Sequence, residues 1–105
     1  MARYGVTLIT VGRRADAVRI ARALVDERLA ACVNVVPGVT SVYRWKGRRC
    51  EDRELLLIVK SRVDRWAALA RRVKEIHPYT VPEIVRLPIE AGHRDYLRWM
   101  DEVLD

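Results

Sequence analysis

No run of about 18 apolar residues occurs in this chain, which excludes a helix able to cross a membrane. The apolar start, Tyr4-Gly-Val-Thr-Leu-Ile-Thr-Val11, is too short for a secretory signal and lacks a small-residue cleavage site, so it reads as a first strand and the expected compartment is the cytoplasm. Cysteine is scarce, with only Cys32 and Cys50, and so is histidine, with only His77 and His93. Neither C-x-x-C nor H-x-x-x-H is present, which excludes a tetrahedral metal site built from one segment. There is no Ser/His/Asp set, no paired carboxylates in a recognisable context and no nucleophile motif, so nothing in the sequence supports catalysis. Low-complexity segments are absent as well. What is present is 105 residues, half of them hydrophobic, enough for a small core and one domain, residues 1–105.

Lysine is also rare: of twenty basic residues three are Lys and seventeen are Arg, with a net charge of +6. Such a balance suits nucleic acid or anions only when it is concentrated. Here Arg13/Arg14, Arg19/Arg22, Arg48/Arg49, Arg71/Arg72 and Arg94/Arg98 fall in different elements. The charges therefore read as a solvated surface, and no nucleic-acid partner is expected.

Two long β-rich runs between Ala30 and Lys60 flank a tip at Trp45-Lys46-Gly47-Arg48. Each arm is long against the 5–6 residues of a typical strand. With the turn near Lys46-Gly47, facing residue numbers sum to about 93, which sets Cys50 opposite Tyr43 and Cys32 opposite Ser61. The two thiols then lie beyond the roughly 7 Å reach of a disulfide. Pro37-Gly38 marks a bulge, a bend or an edge. Around this hairpin the periodicities predict a strand over 4–11, a helix over 15–28, a helix over 64–76 stopped by Pro78, a short strand over 82–88 and a last helix over 92–104.

The order β-α-β-β-α-β plus a final helix is the split βαβ, ferredoxin-like α+β order. Two helices on one face of a four-stranded antiparallel sheet leave the other face bare, and a bare face shows polar alternation. Leu55-Leu-Leu-Ile-Val59 and Val35-Val36 do not alternate. Strands apolar on both sides need cover on both sides, so further copies of the chain are expected to supply it in a closed dimer or trimer. An RNA-binding sheet face is disfavoured, because it needs aromatics where strand three has aliphatics. The short Val11-Gly-Arg-Arg14 loop is weak as an acylphosphatase-type anion cradle.

Ala30-Ala31-Cys32, the run Pro37-Gly-Val-Thr-Ser-Val-Tyr43-Arg-Trp45-Lys-Gly47, Lys60, His77-Pro-Tyr79-Thr-Val-Pro82-Glu83 and Tyr96-Leu-Arg-Trp99 together resemble the CutA divalent-cation tolerance family, over about residues 5–103. The resemblance implies a ferredoxin-like fold, a homotrimer like that of the PII signalling proteins, a cytoplasmic location and a non-enzymatic role in tolerance to divalent metals such as copper. It implies no obligatory cofactor and no membrane insertion.

His77, at a helix end, is the first metal candidate, since imidazole suits copper or zinc. The plainer reading, which the residues favour, is a helix-terminal histidine that bonds a carbonyl and packs on Tyr79. Cys32, in the A-A-C position, is soft enough for Cu(I), but its neighbours Ala31 and Val33 favour a small buried strand residue. Where copper-binding relatives use a further cysteine and histidine, this chain has Ile9 and Ile76. The last cluster is Tyr43, Trp45, Lys60, Tyr79 and Glu83. Lys60 is far from the hairpin tip, so only a neighbouring subunit is expected to unite all five, either as a cleft for a small anionic metabolite or as an interface.

Overall fold

The computed structural model describes residues 2–105. Its elements are β1 (Tyr4–Val11), α1 (Arg14–Asp26), β2 (Cys32–Trp45), β3 (Arg48–Arg62), a 3₁₀ turn (Val63–Arg65), α2 (Trp66–Ile76), β4 (Ile84–Ile89) and α3 (Arg94–Leu104). The strands form one sheet in the order β2-β3-β1-β4, with every pair antiparallel. This is the ferredoxin-like α+β arrangement read from the sequence.

Strand β1 shows how the layers arise. Thr7, Ile9 and Val11 are buried against the helices, while Tyr4, Val6, Leu8 and Thr10 between them are half-buried on the opposite face. In β3, Leu55, Leu57 and Val59 point the first way and Leu56, Ile58 and Lys60 the second. Helix α1 contributes Ala17, Ile20 and Leu24 to the core, and α2 contributes Leu69 and Val73. Val25, one place after Leu24 on α1, is 42% exposed. On the second face α3 covers one end only, where Met100 and Leu104 pack with Ala31 and Tyr4. Val85 and Leu87 stay about half exposed there, so one chain leaves this apolar face partly open.

The hairpin turns at Lys46 (φ 51°) and Gly47 (φ 77°), two left-handed residues whose twist suits a two-residue connection between antiparallel strands. Near the tip the expected register holds, with Tyr43 opposite Cys50. Below it, Pro37 and Gly38 together face Leu55, because Val36 pairs with Leu56 and Val39 with Glu54. Gly38 (φ 76°) absorbs the extra residue, and Pro37 lies on the edge strand, where a missing N–H is tolerated. The bulge corrects one expectation: Cys32 pairs with Lys60, one place before Ser61. The extra residue also flips the parity of β2, so Asn34 and Val36 below it share with Val39, Tyr43 and Trp45 above it the sheet face of Glu54, Leu56 and Ile58.

The solvated reading of the arginines fails at Arg62. Its side chain is 4% exposed and reaches Asp64 at 3.1 Å, Asp101 at 3.2 Å and Asp105 at 2.6 Å. Arg65 donates to the Leu104 carbonyl, Arg28 to that of Asp105, and the Tyr4 hydroxyl to Asp101. The end of α3 is thus tied to β1, β3 and the loop after α1.

Candidate functional site

The loop between α2 and β4 carries the H-P-Y run across the end of β1. Pro78 cannot continue α2, and His77, its C-cap, is already extended (φ −75°, ψ 136°). His77 is buried, with Nε2 2.8 Å from the Thr10 carbonyl oxygen and Nδ1 3.0 Å from the Tyr79 backbone nitrogen. A carbonyl can only accept and an amide N–H can only donate, so the network assigns the proton to Nε2 and the lone pair to Nδ1. The imidazole also lies against the Tyr79 ring, centroids 4.7 Å apart.

This geometry turns Tyr79 toward the hairpin, where its hydroxyl donates to Glu54 Oε2 at 2.7 Å. Gly12 makes room for it: a Cβ on that residue would stand 2.9 Å from the Tyr79 hydroxyl. Burial, then the Glu54 carboxylate, raise the Tyr79 phenol well above its ordinary value. On the hairpin Tyr43 donates to Asp52, and that bond lifts the Tyr43 phenol to about 12.

Between these parts lies a cleft of about 690 Å³, lined among others by Thr10, Tyr43, Trp45, Glu54, Tyr79 and Glu83. Four of the five cluster residues named from sequence therefore meet within one chain. Lys60 does not join them; it stands six residues along β3 from Glu54, about 20 Å at strand spacing, and its ammonium reaches Asn34. Glu54 was missed. In the sequence it is one acidic residue in an exposed-looking run, Glu51-Asp-Arg-Glu54, and only the folded chain shows it buried and bonded to the Tyr79 hydroxyl.

His77 and Cys32 are not brought together. Cys32 pairs with Lys60 and lies beside Tyr96, whose phenol is raised by burial first and then by that thiol. His77 has both ring nitrogens engaged. Among the described residues no group of three or more His, Cys, Asp and Glu is close enough to hold a metal ion. The donors of a single chain thus do not fit a copper or zinc site. Ile9, which stands where copper-binding relatives were expected to carry a ligand, is fully buried in the core. No helix among the described residues is long and apolar enough to cross a membrane.

The family described as "CutA1 divalent ion tolerance protein" matches residues 5–103. The divalent-cation tolerance protein CutA of Thermus thermophilus is 60% identical over 97 residues, covering 92% of this chain and 94% of that one. A CutA homolog of Xenopus laevis is 49% identical over 85 residues, 81% of this chain, which spans 56% of the Xenopus protein's length. A solved structure of the divalent cation tolerance protein from Thermus thermophilus superposes with a TM-score of 0.94 at 57% identity, covering 97% of this chain and 99% of that one.

Proposed function

The chain belongs to the CutA1 divalent ion tolerance family, and from that premise we propose that it serves divalent-metal tolerance as a cytoplasmic homotrimer, by binding or signalling rather than by turnover. The observation that carries this reading is the family match itself, which runs through every element of the core, residues 5–103. The trimer is supported by the partly open apolar face around Val85 and Leu87, which a closed ring of copies would bury. The cytoplasmic location is supported by two cysteines that are both free.

The metal role is proposed for the assembled protein, since His77 and Cys32 of one chain do not converge. A cell lacking this protein is expected to lose growth at raised copper or zinc and to regain it when the chain is restored; unchanged sensitivity overturns the reading. Sedimentation at micromolar concentration is expected to give three times the chain mass, and a monomer removes the trimer. The alternative is a sensor that binds a small anionic metabolite in clefts between subunits; among the described residues of one chain no basic side chain lines the cleft, so this reading needs a neighbouring copy to supply the positive charge. A purely anchoring trimer is the reading that gains when metals leave growth unchanged.

A further inference from the structure

We propose that the hollow between the start of α1 and the base of the hairpin binds the dianionic phosphate group of a small molecule, gripped by Arg14 and Arg53. This site is separate from the cleft beside the H-P-Y loop. It goes beyond the metal-tolerance reading and does not depend on it. By itself the Val11-Gly-Arg-Arg14 loop is too short for an anion cradle; the fold adds Arg53 to it from β3.

Charge is the first observation. The hollow is about 460 Å³, room for a small organic phosphate, and both Arg14 and Arg53 line it. Among the described residues neither guanidinium forms an ion pair, although those of Arg19, Arg49, Arg62 and Arg72 each do. Two like charges at one hollow repel each other, and a bound dianion turns that repulsion into two charge-assisted contacts. The acidic residue on the rim is Glu54. It alternates with Arg53 and Leu55 along β3, so its side chain turns to the opposite face, and its Oε2 accepts the Tyr79 hydroxyl.

The second observation is which face the hollow occupies. Leu55 packs into the core with Ala17 and Ile20 of α1, and Arg53, two places before it, shares that helix side of the sheet. Val85 and Leu87 pair with Leu8 and Val6 and lie on the other side. A ring of copies that closes over Val85 and Leu87 leaves the helix side facing outward, so the hollow belongs to the face that the proposed assembly keeps free.

Third, the chemistry selects a small phosphate. Guanidinium is a planar fork that donates in pairs to oxygens. A phosphate monoester carries nearly two negative charges at neutral pH and presents three acceptor oxygens, which matches two guanidiniums; a carboxylate carries one charge. Pro37 and Leu55 supply an apolar wall for the carbon part of an ester. The other arginines on this side of the hairpin are engaged, Arg49 with Glu51 at 4.0 Å and Arg44 with the Gly47 carbonyl at 3.4 Å. Free positive charge is thus confined to the hollow, which suits a small ligand rather than an extended polyanion.

The test is residue-resolved NMR titration of the assembled protein, at fixed ionic strength, with phenyl phosphate and inorganic phosphate. Sodium acetate and phenol serve as the carboxylate and neutral controls. Both phosphates are expected to shift the Gly12 and Gly38 amides saturably, while the controls leave them in place. Tighter binding of phenyl phosphate assigns an organic ester, and equal affinity assigns inorganic phosphate; both uphold the site. Arg14→Gln and Arg53→Gln are each expected to weaken binding about tenfold, the scale of one lost charge-assisted contact. Arg71→Gln, which removes an exposed charge from α2 outside the hollow, is expected to leave it unchanged. Arg14 and Arg53 are exposed, and sedimentation and thermal melting check that their variants keep the parent assembly and fold. An equal response to acetate overturns the phosphate assignment. Equal weakening by Arg71→Gln reduces the site to diffuse surface charge and overturns it too. No saturable shift with either phosphate means that the hollow is closed by a neighbouring copy or binds nothing, and the proposal falls.

Discussion

The Tyr79 hydroxyl donates to Glu54 Oε2 across 2.7 Å, fastening the loop after α2 to the middle of the long hairpin. The bond passes over Gly12, whose missing side chain is what admits the phenol. Gly12→Ala is expected to push Tyr79 aside and leave a buried carboxylate short of its donor, a loss of about 1–3 kcal/mol. Tyr79→Phe removes the same bond without the clash. Chemical denaturation of both variants and of the double variant is expected to show strong non-additivity, because each removes one shared interaction. Additive losses would separate Gly12 from the bond.

His77 is expected to be structural. Both of its nitrogens are satisfied inside the chain, so His77→Ala orphans the Thr10 carbonyl and the Tyr79 N–H together. The expected loss of stability is about 1–3 kcal/mol. Nitrogen NMR of the imidazole is expected to find the proton on Nε2. Zinc affinity unchanged in His77→Ala, measured by calorimetry, accords with this; a large loss of affinity would return His77 to a metal site.

Asp101 makes stability depend on acid. Its carboxyl is held below the ordinary 3.8, first by the Tyr4 hydroxyl and further by Arg62 and Arg3. A lowered carboxylate contributes its full stabilisation above the ordinary value and loses it as pH falls through the lowered one. Thermal melting is expected to decline as pH drops below about 4, and Asp101→Asn is expected to be less stable at neutral pH with a flatter acid limb. A parallel acid limb in the variant would exclude Asp101.

Tyr43 gives the alkaline counterpart. Hydrogen bonding to Asp52 lifts its phenol from 10.0 to about 12. A raised phenol contributes stability in full below its ordinary value and loses it as pH rises through the shifted one. Phenolate absorbance is expected to show a step near 12 that Tyr43→Phe removes and Asp52→Asn moves back toward 10. A Tyr43 step already at the ordinary value would exclude the bond.

Gly47 and Gly38 test the hairpin. At both, a built Cβ meets nothing within 4 Å, while φ is 77° and 76°. Alanine therefore probes backbone conformation alone, and each substitution is expected to cost about 1–2 kcal/mol in urea unfolding. No change at Gly38 would mean that the bulge relaxes to another register, which the Tyr43–Cys50 pairing by NMR would reveal.

Periodicity in the sequence determined the element order, the limits of β1 and the place of the hairpin turn. Those properties are local: a residue's neighbours at two, three and four places set them. Local pattern also picked out Tyr43, Trp45, Tyr79 and Glu83, because they lie in motif runs.

Only the tertiary structure decided what these residues meet. The bulge at Pro37-Gly38 moved Cys32 from Ser61 to Lys60, since one extra residue shifts every pair below it. Arg62 read as a surface charge because its three carboxylates lie between two and forty-three residues away in the chain. Glu54 was hidden among acidic neighbours, and its burial and its bond to Tyr79, twenty-five residues away, arise only in the fold. His77 was legible as a helix-ending histidine with two possible uses, and the Thr10 carbonyl and Tyr79 N–H satisfied both of its nitrogens. Charge state, burial and partnership are properties of folded space, and long-range pairing assigns them after local pattern has chosen the elements.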